Sequence, residues 1–138
     1  MQTIVPTRRD DVRAALVHVL QTLEVAGRPW HERSAADVLL FVAQNGVRDA
    51  VIGDASHCAI AKYIARAMDT LGEPIRIVST TRQSVVVYYE PRDMFDAFSH
   101  VYIETPLWLA DAIQLFDEGF GPAPLYRIEP QDDVEYVA

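Results

Sequence analysis

Ile75-Arg-Ile-Val-Ser79 and Val85-Val-Val-Tyr-Tyr-Glu90, set apart by the polar Thr80-Thr-Arg-Gln-Ser84, decide how this chain is read. β-Branched and aromatic side chains fill both runs, and such side chains suit a pleated, half-buried surface. The spacer has the length of a hairpin connection, so the two runs predict a β-hairpin with a four- or five-residue loop. Downstream, Val101 to Glu104 predicts a third strand, while residues 91–100 read equally as a short helix or a long loop.

Helices lie on both sides of these strands. After them, Thr105 reads as an N-cap, Pro106 as the first helical position and Gly119 as the stop. That helix would bury Leu109, Ala110, Ile113 and Phe116. Pro122, Pro124 and Pro130 then interrupt the chain, leaving Leu125 to Ile128 as an edge strand and residues 131–138 as a frayed acidic tail. Before the hairpin, Gly72-Glu-Pro74 stops a helix that Asp54 or Ser56 would cap. Its stripe is Ile60, Tyr63, Ile64, Ala67, Met68 and Leu71. Further upstream, Thr7 caps a helix with Val12, Leu16, Val19, Leu20 and Leu23 on one face, ended by Gly27 and Pro29. Ser34 caps another that buries Val38, Leu39, Phe41 and Val42 and stops at Asn45-Gly46. Their short connection makes them antiparallel neighbours. Residues 47–53 form a connector with room for a short strand at Ala50 to Ile52.

The expected fold is therefore α+β: an N-terminal helical hairpin (1–46) packed on a small antiparallel sheet, with two further helices over one face (47–130). At 138 residues, 50% hydrophobic and 23% charged, the chain is one domain with material for a core. The longest apolar runs, Val38 to Ala43 and Val85 to Tyr89, are too short to cross a bilayer. Met1 to Pro6 leads straight into Arg8, Arg9, Asp10 and Asp11 without a signal pattern. A soluble, cytoplasmic protein is expected.

The net charge is −8, unevenly placed. Residues 1–66 carry eight basic and seven acidic side chains, whereas residues 67–138 carry four and thirteen. Eleven of the twelve basic residues are arginine, Lys62 is the only lysine and Asn45 the only asparagine, a bias typical of GC-rich coding. The acidic half could dock on a basic partner or mimic nucleic acid, with plain solubility the simpler account.

The most suggestive chemical motif is Gly53-Asp54-Ala55-Ser56-His57-Cys58, which places a cysteine at the start of a helix. Helix N-terminal amides and a nearby imidazolium favour a thiolate, and Asp54 could orient His57, so a cysteine-centred enzyme or thiol sensor is one reading. The ordinary alternative is a small apolar residue packing the helix start, and neighbouring residues point about 100° apart on a helix. His18, His31, His57 and His100 show no i,i+3 or i,i+4 pairing, so no metal site is expected. Trp30-His31-Glu32 reads as a turn whose Trp30 covers the helical hairpin. A glycine-rich phosphate loop is missing, Gly119-Phe-Gly121 follows a helix rather than opening one, and no cofactor is implied. The carboxylates Asp111, Asp117 and Glu118 read as solvated positions on the last helix.

Three helices followed by a β-hairpin is also the order of a winged helix, whose reader would offer His57, Lys62 and Arg66. The connector from Gly46 to Ser56 is too long for the usual turn. The hairpin loop offers only Arg82, and the chain is acidic, so nucleic acid is disfavoured as a partner.

The run Cys58-Ala-Ile-Ala-Lys-Tyr-Ile-Ala-Arg66 is followed by valine-rich strands, Tyr102-Ile-Glu-Thr-Pro106, Ala110 to Phe116, Asp117-Glu-Gly119 and Pro124-Leu-Tyr-Arg-Ile-Glu129. This pattern resembles small uncharacterised proteins of bacteriophages and prophages, many from GC-rich hosts. In those, Cys-Pro-Ile-Ala opens a helix, and a later Leu-Pro begins one ending in Phe-Asp-x-Gly before an aromatic-rich terminal strand. Ala59 here replaces the proline, and Thr105-Pro106 replaces Leu-Pro. The resemblance spans residues 54–129 and carries no catalytic assignment. It implies a non-enzymatic accessory protein of phage type, acting in the host cytoplasm by binding a host or phage protein. Tyr88, Tyr102, Trp108, Phe120 and Tyr126 are the candidate partner-binding residues, because Tyr and Trp are favoured anchors. Alternatively, the apolar run Val85 to Tyr89 could serve as the edge of a homodimer.

Overall fold

The computed structural model describes residues 8–25, 35–73, 75–90 and 99–126. They form α1 (Arg8–Val25), α2 (Ala35–Gln44), α3 (Ala59–Thr70), β1 (Ile75–Thr80), β2 (Ser84–Tyr89), β3 (His100–Glu104) and α4 (Leu107–Asp117), with a 3-10 turn at Ala123–Leu125. Four helices and one three-stranded antiparallel sheet make an α+β fold. The expected features at Thr7, Gly27, Pro29, Trp30, His31, Ser34, Pro74, residues 91–98, Ile128 and the tail 131–138 lie outside the described residues.

The sheet runs β1-β2-β3, so Val85 to Tyr89 is the central strand. Both of its ladders are occupied, which corrects its reading as a homodimer edge. The hairpin loop is also shorter than expected. Thr80 and Ser84 belong to the strands, and Thr81 Oγ1 accepts from the amides of Gln83 (3.2 Å) and Ser84 (3.0 Å). That hydroxyl satisfies the loop amides and lets the ladder run further.

Strand alternation gives the sheet two unlike faces. Val78, Thr80, Val85, Val87, Tyr89 and Val101 point inward and are buried. Ile75 pairs with Tyr89 while Ile77 pairs with Tyr88, leaving Arg76 as the extra residue of a β-bulge. Without that bulge both isoleucines would share the outer face. With it, Ile75 turns inward, half-buried, and Ile77 alone stays outside.

Helix α3 is the hub, packing against β1, α1, α2 and α4. Ala59, Ile60, Ala61, Tyr63, Ile64 and Met68 are buried along it, but Leu71, the last residue of the expected stripe, is 47% exposed. The full predicted stripe of α1 is buried, against α3 and β3. Helix α2 buries Val38, Leu39 and Val42 and packs most broadly on α4; its Phe41 meets Tyr63 edge to face, 5.8 Å between ring centres.

Three boundaries differ from expectation. Helix α3 is capped by Cys58, not by Asp54 or Ser56, because the Asp54 carboxylate is spent on a tight turn ahead of the helix. Helix α4 starts at Leu107 with Pro106 as N-cap, since the Thr105 hydroxyl donates instead to Thr81 O (2.7 Å) and ties the helix to the hairpin loop. Its buried set is Leu109, Ala112, Ile113 and Phe116, with Ala110 half-buried. Of the edge strand expected at Leu125 to Ile128, Leu125 closes a 3-10 turn that opens at Ala123, Tyr126 follows it, and residues 127–128 lie outside the described residues. Tyr126 bridges to Ala50, and the Ala50 amide donates to Leu125 O (2.7 Å). The short strand expected at Ala50 to Ile52 reduces to that single bridge.

Candidate functional site

The turn Gly53–Cys58 leads into α3 beside the hairpin loop and the end of α4. The Asp54 carboxylate organises it: Oδ1 accepts from the amides of Ser56 (3.0 Å) and His57 (3.1 Å), and Oδ2 lies 3.0 Å from His57 Nδ1. The hydrogen bond from His57 is the main reason the Asp54 carboxyl is held below its ordinary range, followed by the Ser56 amide. The Val51 amide donates to His57 O (2.8 Å), closing the turn. Asp117, reaching over from α4, accepts from the Gly53 amide (3.3 Å).

The structure joins Asp54 to His57 and buries Cys58 elsewhere. The imidazole is largely exposed, whereas Cys58 is 3% exposed. The thiol sits 2.8 Å from Thr80 Oγ1 and accepts from the Ala61 amide (3.5 Å), which makes it the side-chain cap of α3. Burial pushes the thiol up from its ordinary value, Thr80 and the Ala61 amide offset part of that rise, and the Asp117 charge adds to it. A cleft of about 190 Å³ lies over this corner, lined by Asp54, Cys58, Thr80, Arg82 and Asp117 among others. The thiol at its base is thus a protonated packing group that pins the helix start to β1.

Among the described residues, no group of three or more His, Cys, Asp or Glu side chains converges to hold a metal ion. No described helix is long and apolar enough to cross a membrane.

The five aromatic candidates separate into two sets. Tyr88 (43% exposed) and Tyr102 (50%) stand on the outer sheet face, joined there by Ile77, Val86 and His100. In register, Ile77, Tyr88 and His100 form one row across the strands, and Ser79, Val86 and Tyr102 the next. The Tyr88 and His100 rings lie 5.8 Å apart. Phe120 is also exposed, but beyond the end of α4. Trp108 and Tyr126 pack against the core instead, both of them half-buried. Tyr126 stacks on Phe116 at 4.7 Å, with its hydroxyl 2.7 Å from Phe120 O, and burial followed by the Asp117 charge raises that hydroxyl's pKa.

Two features were missed in the sequence. Arg8, the first described residue of α1, is buried in an ion pair with Glu73 and holds its guanidinium 5.7 Å from the centre of the Tyr89 ring. A cation opening a helix runs against the helix dipole, so no local rule points to it. The second is a cleft of about 340 Å³ between α1 and α3. Its walls come from residues far apart in sequence, and the single local trace of it is the apolar stripe of α3 that outruns its cover. Comparison with protein-family models, curated proteins and solved structures finds no match to this chain.

Proposed function

We propose that the chain is a non-enzymatic accessory protein, of the phage type its residue pattern resembles, that acts by binding another protein through the outer face of its sheet. One observation carries this reading: Tyr88, Tyr102 and Ile77 project from adjacent rows of a single pleated surface while 43–50% exposed. Tyrosine offers a large rigid contact with little side-chain entropy to lose, which suits it as an anchor. The two tyrosines are held by a sheet whose other face is core, so the surface is preorganised.

Charge favours a partner over a second copy of the chain. Glu104 extends the same outer face at its Ser84 end, and each copy carries −8. A protein with a basic rim around an apolar centre fits that surface. The thiol reading lacks comparable support, because Cys58 is buried and its proton is held. The winged-helix reading meets a different obstacle: α3, its reader helix, packs against four other elements.

The test is affinity capture from a bacterial lysate with the full chain and with a Tyr88→Ser/Tyr102→Ser variant, read by mass spectrometry. A stoichiometric partner retained by the parent at low salt, weakened by added salt and lost from the variant is expected. The reading is overturned if no partner co-purifies or if the variant holds the same partner equally well. It is also overturned if gel filtration shows a parent dimer that the variant dissolves, since the face would then serve a second copy.

A further inference from the structure

We propose that the cleft between α1 and α3 is a binding site for a small organic acid, its carboxylate seated on Arg66 and its apolar body on the cleft floor. The cleft encloses about 340 Å³, the small end of the range that ligand sites occupy. Its floor is apolar: Val19 and Val47 are almost fully buried beneath it, and Ala67 continues the surface along α3. Leu71 completes it at 47% exposure, the point at which the apolar stripe of α3 extends past the helices that cover the rest. A leucine on the core-facing stripe of an amphipathic helix that is left open to a cavity marks apolar surface available to something else.

Arg66 is the one Lys, Arg, Asp or Glu side chain among the described residues of the lining. Arg66 and His18 line the cleft, with Asn45, Thr22 and Thr70, and no lining residue is acidic although the chain carries −8. The two threonine hydroxyls are spent on the carbonyls of His18 and Arg66 one turn back, at 3.0 Å each. Asn45 likewise gives its amide to Phe41 O at 2.8 Å. The Arg66 guanidinium is different. No carboxylate or carbonyl among the described residues binds it, whereas Lys62, one turn earlier, is anchored to Arg48 O (2.7 Å) and Asp49 O (3.2 Å). The guanidinium is nonetheless placed: it lies against Gly46, where an added Cβ would come within 3.1 Å of Nη1. A planar fork of N–H donors, set over a glycine beside an apolar floor, matches a carboxylate on a hydrocarbon body. None of the residues used here lies on the outer sheet face, so the two sites succeed or fail separately.

Titration of the 15N-labelled full chain with phenylacetate, phenylacetamide, phenyl phosphate and inorganic phosphate tests this. Phenylacetate is expected to shift the amides of Thr22, Asn45, Ala67 and Leu71 saturably, and phenylacetamide to bind about tenfold more weakly or worse, the scale of one charge-assisted hydrogen bond. Arg66→Gln, at an exposed position, should lose about the same factor for phenylacetate with its thermal melt unchanged. Leu71→Glu, which brings a like charge to the mouth, should abolish binding. Phenyl phosphate binding as tightly as phenylacetate would still place the anion on Arg66, and tighter binding would move the ligand class to phosphomonoesters and overturn the carboxylate assignment. The proposal also fails if no ligand shifts these amides up to tens of millimolar, if the acid and the amide bind alike, if Arg66→Gln binds as the parent does, or if inorganic phosphate binds as well as the aromatic acids.

Discussion

Replacing Glu73 by glutamine should destabilise the protein more than replacing its partner Arg8 by methionine, and the two losses should not add. The Arg8 side chain is 7% exposed and the Glu73 side chain 19%. Glu73→Gln therefore removes the opposite charge beside a guanidinium that water scarcely reaches and that lies 5.7 Å from the centre of the Tyr89 ring. Breaking a fully buried pair costs about 3–5 kcal/mol, and the residual exposure of Glu73 brings the expected loss to about 2–3 kcal/mol. Arg8→Met keeps most of the apolar stem and leaves a carboxylate that can reach solvent, for a loss of about 1–2 kcal/mol. The double variant should recover about 1–2 kcal/mol relative to the sum, because its second substitution finds the pair already broken. Urea unfolding followed by circular dichroism reads all four proteins, and an unchanged urea slope keeps the comparison sound. In a chain of this size Glu73→Gln should lower Tm by about 6–12 °C. Salt at 0.5 M should leave most of the difference intact, because a buried pair is weakly screened. A Glu73→Gln loss below about 0.5 kcal/mol, or strictly additive losses, would show that the pair carries no net stability and refute the reasoning.

Other consequences can be read directly. With its pKa raised, Cys58 should react with iodoacetamide slowly near pH 8, and the rate should climb only above the ordinary thiol range; fast modification of the folded protein at pH 7 would contradict its burial. The same shift has a sign for stability. The unfolded chain gives up the thiol proton first, so the contribution is whole below the ordinary thiol pKa and is lost as pH rises above it, a slope that Cys58→Ser should flatten in urea titrations. Asp54 behaves oppositely: its lowered pKa contributes stability above the ordinary carboxyl value that fades as pH falls, and Asp54→Asn should remove that acid dependence. Gly46→Ala should cost about 1–2 kcal/mol in thermal unfolding, because Gly46 holds φ at +90° and the new Cβ would press on Arg66.

Much of the fold was legible because local signals agreed. The hairpin runs, the stripe of α1 and the stop at Gly119 each combine periodicity with a turn residue, and each is where the sequence puts it. The boundaries that moved at α3, α4 and the hairpin loop share one cause. Asp54, Thr105 and Thr81 have side chains that can bond several backbone groups, and tertiary neighbours chose which. The sequence marks such a residue as a cap without saying for what. Cys58 was correctly placed at a helix start, but its partner Thr80 lies 22 residues away on a strand, and only the packed structure pairs them. The α1–α3 cleft was illegible for a related reason: Leu71 satisfies the α3 periodicity as well as Ile64 does, and nothing local says that cover stops between them.

The bridge from Ala50 to Leu125 and Tyr126 bears on how the protein is made. A ribosome releases the residues of α1, α2 and α3 well before the segment that lies over Phe116, and 75 positions separate the two backbone partners. At ordinary elongation rates that interval lasts several seconds, with the hub helix α3 still lacking β1 and α4 for part of it. Cover over Phe116 therefore waits for the clasp. A chain interrupted before Pro122 would lack the fully buried Leu125 and the ring stacked on Phe116, and would present that bare apolar floor to proteases and chaperones. The closing turn thus distinguishes a chain made past Tyr126 from one interrupted before Pro122.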